Sequence, residues 1–262
     1  MPSGSSFRFL DAVGAERGAT SAAVGSVQEF LERFGYMRPA TVGAFAAATF
    51  DDPTEQAVRL YQAFNGLPVT GDIDDATVAE MSKPRCGFPD FPNLAAFQVD
   101  GRKWDRTDLT YRVTNETPDL SDAEVRDAMR FALTLWEEAS ALSFRETDAR
   151  ADIEIHFVSG EHGDGSSFDG PGRVLAHAFY PPPNGGPIAG DAHFDEAETW
   201  SVAIPVPDGR FDLPTVAAHE FGHSIGLDHS RVRGALMFPS YSGPQRFLHQ
   251  DDIEGVRSLY GA

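Results

Sequence analysis

Apolar residues Val24, Val27, Phe30, Leu31 and Phe34 recur three and four positions apart and predict an amphipathic helix ending near Gly35. The same period returns over residues 54–64, with Val58, Leu60, Tyr61 and Phe64 apolar, until Asn65-Gly66-Leu67-Pro68 breaks it. A short third helix is expected over residues 74–81. Residues 24–83 therefore read as a small all-α domain, preceded by a Gly-, Ala- and Ser-rich start, residues 1–23, expected to be poorly ordered. Residues 84–102 carry Pro84, Pro89, Pro92 and Gly101 and read as a connecting segment.

From Lys103 the pattern changes. Residues 109–113 predict a strand, and Ser121 with Glu124 forms a capping box for a helix over residues 122–140. Its stripe of Val125, Met129, Ala132, Leu133 and Trp136 reads as core. Residues 152–158 alternate as a strand does, and residues 173–179 predict another. A helix is expected from near Leu213, where Asp212 and Pro214 suit its start, and a closing helix over residues 251–260. Residues 103–262 thus form a second, α+β domain. Within it, residues 160–200 are long, rich in Gly and Pro, and carry three histidines, and a loop of that length is usually functional or disordered.

A net charge of −19 over 262 residues argues against nucleic acid or anionic membrane as partner, and no membrane-spanning stretch is visible. The N-terminus lacks the basic start and apolar run of a signal peptide. The single cysteine, Cys86, rules out an internal disulfide. In PRCGFPD, Pro84, Gly87 and Pro89 suit a non-helical backbone that presents a thiolate, which is a good zinc ligand.

The richest stretch is HEFGHSIGLDH. His219 and His223, four apart on a helix, share one face and can bind one metal ion together. Gly226 can take the positive φ that ends the helix and returns His229 as third ligand. Three protein ligands leave zinc a fourth position for water, and Glu220, beside it, can act as general base.

HEFGHSIGLDHS, followed by ALMFPSY and preceded by PRCGFPD, resembles the matrixins, the matrix metalloproteinase family of metzincins. ALMFPSY resembles their Met-turn, with Met237 beneath the metal, and PRCGFPD their cysteine switch, in which the propeptide thiol takes the fourth zinc position. VRLYQAFNGLPVTGDIDDATVAEM resembles the peptidoglycan-binding-like domain of matrixin propeptides. The resemblance implies a metzincin-type catalytic domain, with a twisted, mixed, mostly parallel sheet and helices, and a latent, extracellular zinc endopeptidase. HGDG, LAHAF and DAHFD resemble the family's structural zinc pattern, which implies His162, Asp164, His177 and His193 as ligands. It further implies calcium on Asp169, Asp195 and Glu198 with carbonyls of Gly170, Gly172 and Val174, and a second calcium on Asp152 and Asp191. His156 and His249 receive no role.

Protein or peptide substrate is expected to lie extended along Leu175 and Ala176, with a pocket bounded by the zinc helix and the segment holding Pro239 and Tyr241. Thr215, small where matrixins often carry a larger residue, predicts tolerance of a large apolar residue just after the cleaved bond. The last predicted helix runs to within two residues of the end, so no hemopexin-like propeller is expected, and flexible protein is a better substrate than triple-helical collagen. A monomer is expected. The alternative is a cell-wall-associated binding protein or zinc amidase that reaches peptidoglycan through the N-terminal domain.

Overall fold

The computed structural model describes residues 9–38, 42–91 and 102–262. The chain forms two compact units, Met1–Lys83 with Phe88–Asn93, and Pro84–Gly87 with Leu94–Ala262.

The first unit is all-α. Helices α1 (Ala22–Arg33), α2 (Asp52–Phe64) and α3 (Asp75–Met81) start at Ser21, Asp51 and Asp74, whose side chains accept from Val24, Thr54 and Thr77 N–H. Phe30 meets Phe9, Phe34 and Tyr61 edge-on or tilted, so the predicted apolar stripes close on an aromatic core. The disorder expected over residues 1–23 is corrected in part. Residues 1–8 lie outside the described residues, but Phe9–Ala12 forms a turn of 3-10 helix with Phe9 and Ala12 buried. Thr20 also bridges to Thr49. Packing of Phe9 against Phe30, which local composition does not reveal, holds this stretch. The connecting segment, beyond residue 91, lies outside the described residues up to Arg102.

The second unit is built on a six-stranded sheet in the order β1-β5-β6-β4-β2-β3. In chain order these strands are β1 (Arg85–Cys86), β2 (Asp108–Val113), β3 (Ser143–Glu146), β4 (Ile153–Val158), β5 (Val174–Ala178) and β6 (Ala192–Asp195). All neighbours are parallel except β5 and β6, which agrees with the mixed, mostly parallel sheet expected. A parallel pair, β7 (Trp200–Ser201) and β8 (Phe211–Asp212), leads into helix α5 (Leu213–Ser224). Helix α4 (Asp122–Ala139) carries the predicted capping box, and α6 (Gln250–Tyr260) is the last helix.

Alternation along β4 sends Ile153, Ile155 and Phe157 into the core and leaves Glu154, His156 and Val158 half-buried on the other face. Helix α4 packs its stripe against α5, and Trp136 donates its indole N–H to Ala218 O at 2.9 Å. Every residue of α5 is buried, so its polar side chains must find partners or ligands inside the protein. Strands β1, β3 and β6 were not anticipated. They are two to four residues long, too short for alternation to register.

Candidate metal centres

Helix α5 is set by its ends. Asp212 accepts from Thr215 N at 3.2 Å, and its carboxylate also takes two hydrogen bonds from Arg246. At the other end Gly226 adopts φ +105°, and a side chain there would fall 1.7 Å from Arg102 O, so only glycine permits the turn. The turn brings His229 back to the helix. Cys86, His219, His223 and His229 each offer a ligand atom, all within 4.8 Å of one another, and all four residues are buried.

Backbone carbonyls orient this cluster. His219 Nδ1 lies 2.7 Å from Leu236 O and His223 Nδ1 lies 2.7 Å from Leu227 O. A carbonyl only accepts, so each Nδ1 carries the proton and each Nε2 keeps a lone pair. Nε2 of His219 is 3.2 Å from Nε2 of His229. Burial, then His229 and His219, hold His223 well below the usual imidazole range, so it stays neutral, as a metal ligand must. Three imidazoles and one thiol are a donor set that fits tetrahedral zinc.

Glu220 is fully buried beside them. Its Oε2 accepts from Cys86 Sγ at 3.3 Å, while the buried Oε1 has no hydrogen-bond partner. Burial pushes its pKa up to about 8, with the Cys86 bond opposing, so the carboxyl is prepared to hold a proton. Met237 packs under α5, where a side chain at Gly222 would fall 2.2 Å from its sulfur. Asp252 fixes that turn by accepting from Leu236 N at 2.8 Å and Met237 N at 3.0 Å.

The cysteine segment lies on the sheet edge. Arg85 and Cys86 pair in parallel with β5, with Gly87 N donating to Ala176 O at 2.7 Å. On its other side Cys86 N donates to Pro239 O at 3.0 Å and Tyr241 N to Pro84 O at 2.8 Å. Beside it is a cavity of about 50 Å³ lined by Leu175, Thr215, Val216, Glu220, Pro239 and Tyr241 among others. The Thr215 hydroxyl does more than open space: it bonds Asp212 Oδ2 at 2.6 Å and accepts from Gln245 N at 2.7 Å.

A second cluster gathers His162, Asp164, His177 and His193. Asp164 Oδ2 lies 2.7 Å from His162 Nε2, 2.7 Å from His177 Nε2 and 2.9 Å from His193 Nδ1. Burial acts against the Asp164 carboxylate, yet hydrogen bonds from His177 and Ser166 hold it well below the usual range. Burial, then His177, takes His193 down to about 3. Three imidazoles and a carboxylate again fit tetrahedral zinc, here with every position taken by protein.

The expected calcium residues are less tightly drawn. Among the described residues, Asp169, Asp195 and Glu198 do not form a cluster of the kind above. Asp169 Oδ2 and Asp195 Oδ2 are nevertheless buried without a hydrogen-bond partner. Burial, with Asp169 adding to it and a hydrogen bond from Ala197 N opposing, raises Asp195, and burial takes Glu198 up to about 7. Val174 N and Gly172 N donate to Asp169 and Glu198. The second pair, Asp152 and Asp191, lines one cavity of about 180 Å³ together with Glu154, Pro187 and Ala189. Asp152 bonds Arg106, Thr110 N and Thr110 Oγ1, whereas Asp191 lies with His156 and His193 in a third cluster. His249, without a role in the sequence reading, caps α6. Its box with Asp252 was recognisable in HQDD.

Residues 103–261 match the matrixin family and residues 20–81 match a putative peptidoglycan binding domain. The chain is 44% identical over 240 residues to human (Homo sapiens) neutrophil collagenase, covering 90% of this chain and 50% of that protein. It is 44% identical over 238 residues to interstitial collagenase of Equus caballus, covering 90% and 49%. Matrix metalloproteinase-18 of Xenopus laevis is likewise 44% identical over 238 residues, covering 89% and 49%. The chain therefore spans about half the length of these relatives.

Proposed function

The chain belongs to the matrixin family, and we propose that it is a latent zinc-dependent endopeptidase held inactive by Cys86. The observation that carries this reading is the convergence of the Cys86 thiol with His219, His223 and His229 beside Glu220. The three histidines would hold zinc through Nε2, with Cys86 sulfur as fourth ligand in the latent form. Zinc there supplies a Lewis acid that acidifies water and polarises a peptide carbonyl. Withdrawal of residues 84–87 frees both the sulfur position and the edge of β5, against which Cys86 now pairs. Substrate then adds to that edge along Leu175 and Ala176 by main-chain hydrogen bonds. Glu220 accepts the proton of the attacking water on its carboxylate and delivers it to the leaving amine. The residue after the cleaved bond enters the cavity beside Thr215, Pro239 and Tyr241, where a large apolar side chain is favoured.

The second cluster is read as a structural zinc site, supported by its four converging donors. Calcium on Asp169, Asp195 and Glu198, with carbonyls of Gly170, Gly172 and Val174, is supported by the two buried carboxylate oxygens left without protein partners. Two of the relatives are named collagenases, and kinship with them supports work on protein outside the cell. No helix among the described residues is long and apolar enough to cross a membrane. The match of residues 20–81 supports a second property, retention on peptidoglycan.

Cleavage of a quenched generic peptide by full-length protein and by Cys86→Ser, each with and without chelator, tests the reading. A Cys86→Ser enzyme that is chelator-sensitive and much faster than its parent supports both peptidase and latch. Equal rates remove the latch, and no cleavage even after removal of residues 1–102 removes the peptidase. Co-sedimentation with insoluble peptidoglycan tests the glycan property independently.

A further inference from the structure

Three segments of the second unit meet at the Asp228 carboxylate. Its Oδ2 accepts from Arg102 Nη1 at 2.6 Å and its Oδ1 from the Tyr180 hydroxyl. The Arg102 guanidinium also lies over the Tyr180 ring, 5.3 Å from its centroid. Tyr180 is buried, and the Arg102 side chain is only 13% exposed against 47% for Asp228. A fully exposed ion pair would contribute little, but here loss of Asp228 leaves a mostly buried guanidinium without its counter-charge.

The backbone that delivers Arg102 is itself fixed on the far end of α5. Trp104 donates its indole N–H to Ser224 O at 2.9 Å and its backbone N–H to the Tyr260 hydroxyl at 2.9 Å. That hydroxyl in turn donates to Ile225 O at 2.7 Å. Tyr180 follows β5 by two residues, and Gly190 N donates to its carbonyl at 3.1 Å. The carboxylate thus has one holder tied to the end of the zinc helix and another tied to the strand read as taking substrate. What it fixes is the stretch over residues 227–229, which leaves the helix at Gly226. Leu227 O orients His223 through Nδ1, and His229 directly follows Asp228. Backbone bonds pin this stretch at Leu227 N, on Gly222 O at 2.9 Å, and at Ser230 N, on Met237 O at 2.8 Å. Between those two points Asp228 is held through its side chain.

We infer that Arg102 and Tyr180 are positioning residues for the zinc ligands, acting through Asp228 to set residues 227–229 against the substrate strand. The inference rests on the reading of His219, His223 and His229 as the zinc site of a peptidase. Both Asp228 oxygens are turned to Arg102 and Tyr180, so the carboxylate acts on geometry and not as a ligand.

The test uses the full chain with cobalt(II) in place of zinc. Cys86 is the only cysteine, so a thiolate-to-cobalt absorption band reports the cluster around His219 alone, and its decay in chelator gives the release rate there. Arg102→Ala and Asp228→Asn are each expected to shift the band and speed release about tenfold, as loss of a ligand's support does. In the Cys86→Ser background with zinc, each should lower kcat about tenfold while KM stays within about twofold. The double variant should be no worse than the worse single one, because both break one contact. Tyr180→Phe, which removes only the hydroxyl, should give the same signature at about threefold. Arg102→Lys, which keeps the charge but not the planar stacking, should restore part of the loss. A lower melting temperature with band, release rate and kcat unchanged marks a merely structural contact and overturns the inference. So do losses that add in the double variant. If Arg102→Ala does not fold, Tyr180→Phe and Arg102→Lys decide by the same readouts. A parent without the thiolate-to-cobalt band, together with a Cys86→Ser chain that never cleaves peptide, overturns the peptidase reading and the positioning role with it.

Discussion

The two histidine clusters have similar donor sets and different supports. At the helix-borne cluster, Leu236 O and Leu227 O fix the rings of His219 and His223 from outside, and α5 is buried along its whole length. At the loop-borne cluster His162 Nδ1 lies 2.8 Å from Gly160 O, and all three rings close on Asp164, with His177 Nε2 also 3.3 Å from His193 Nδ1. Backbone carbonyls orient two of the three rings of the first site. The second depends on what its ligands share. One is thereby suited to exchange a ligand during a reaction, the other to pin a long loop.

Chemistry should separate them most sharply. Glu220→Gln, made in the Cys86→Ser background, is expected to lower kcat by about 10²–10⁴ with zinc content unchanged, because the amide cannot accept the proton. Stability should separate them in the opposite sense. His177→Ala, which opens the loop-borne cluster, is expected to lower Tm by about 10 °C, the equivalent of losing an ion present at a thousand times its Kd. His223→Ala should abolish cleavage while lowering Tm by much less. Melting curves with zinc counts check both, and equal losses would erase the distinction between the two supports.

The same contrast decides what sequence could reveal. His219, His223 and Gly226 were legible because a helix converts a spacing of four into a shared face, and one stretch holds the whole motif. The loop-borne ligands were legible only through resemblance, since nothing local says that Asp164 meets His193 twenty-nine residues on. The pairing of His156 with His193 depends on the register of β4 and β6, and β6 is four residues long. Asp152 and Asp191 were read together as calcium ligands through resemblance alone, since 39 residues separate them along the chain although both line one cavity. Long helices and caps are local, whereas strand register and carboxylate partners are not.

The turn beneath the helix-borne cluster offers a finer probe. Asp252 accepts from Leu236 N, Met237 N and His249 N, and is buried at 2% exposure. Asp252→Ala leaves three donors without their acceptor and is expected to cost about 3 kcal/mol. If backbone organises this cluster, zinc affinity should fall along with stability. Unchanged zinc affinity in denaturant and metal titrations would mean that α5 alone suffices.

The smallest effect concerns the wall of the helix-borne site rather than its ligands. Thr215 touches neither the zinc cluster nor Glu220 through its hydroxyl, which bonds Asp212 and accepts from Gln245 N. It joins the start of α5 to the segment over residues 243–246 beside the cavity. Thr215→Val preserves shape and loses both bonds, at a cost of about 1.5 kcal/mol. Asp212 still holds Thr215 N and Arg246, so α5 and its histidines should remain where they are. The expected signature is a higher KM for peptides with a large apolar residue after the cleaved bond, with kcat unchanged, because binding is loosened and the reacting groups are not. A fall in kcat instead would show that this tether reaches the histidines, and that the helix-borne cluster depends on its wall as the loop-borne cluster depends on its ligands.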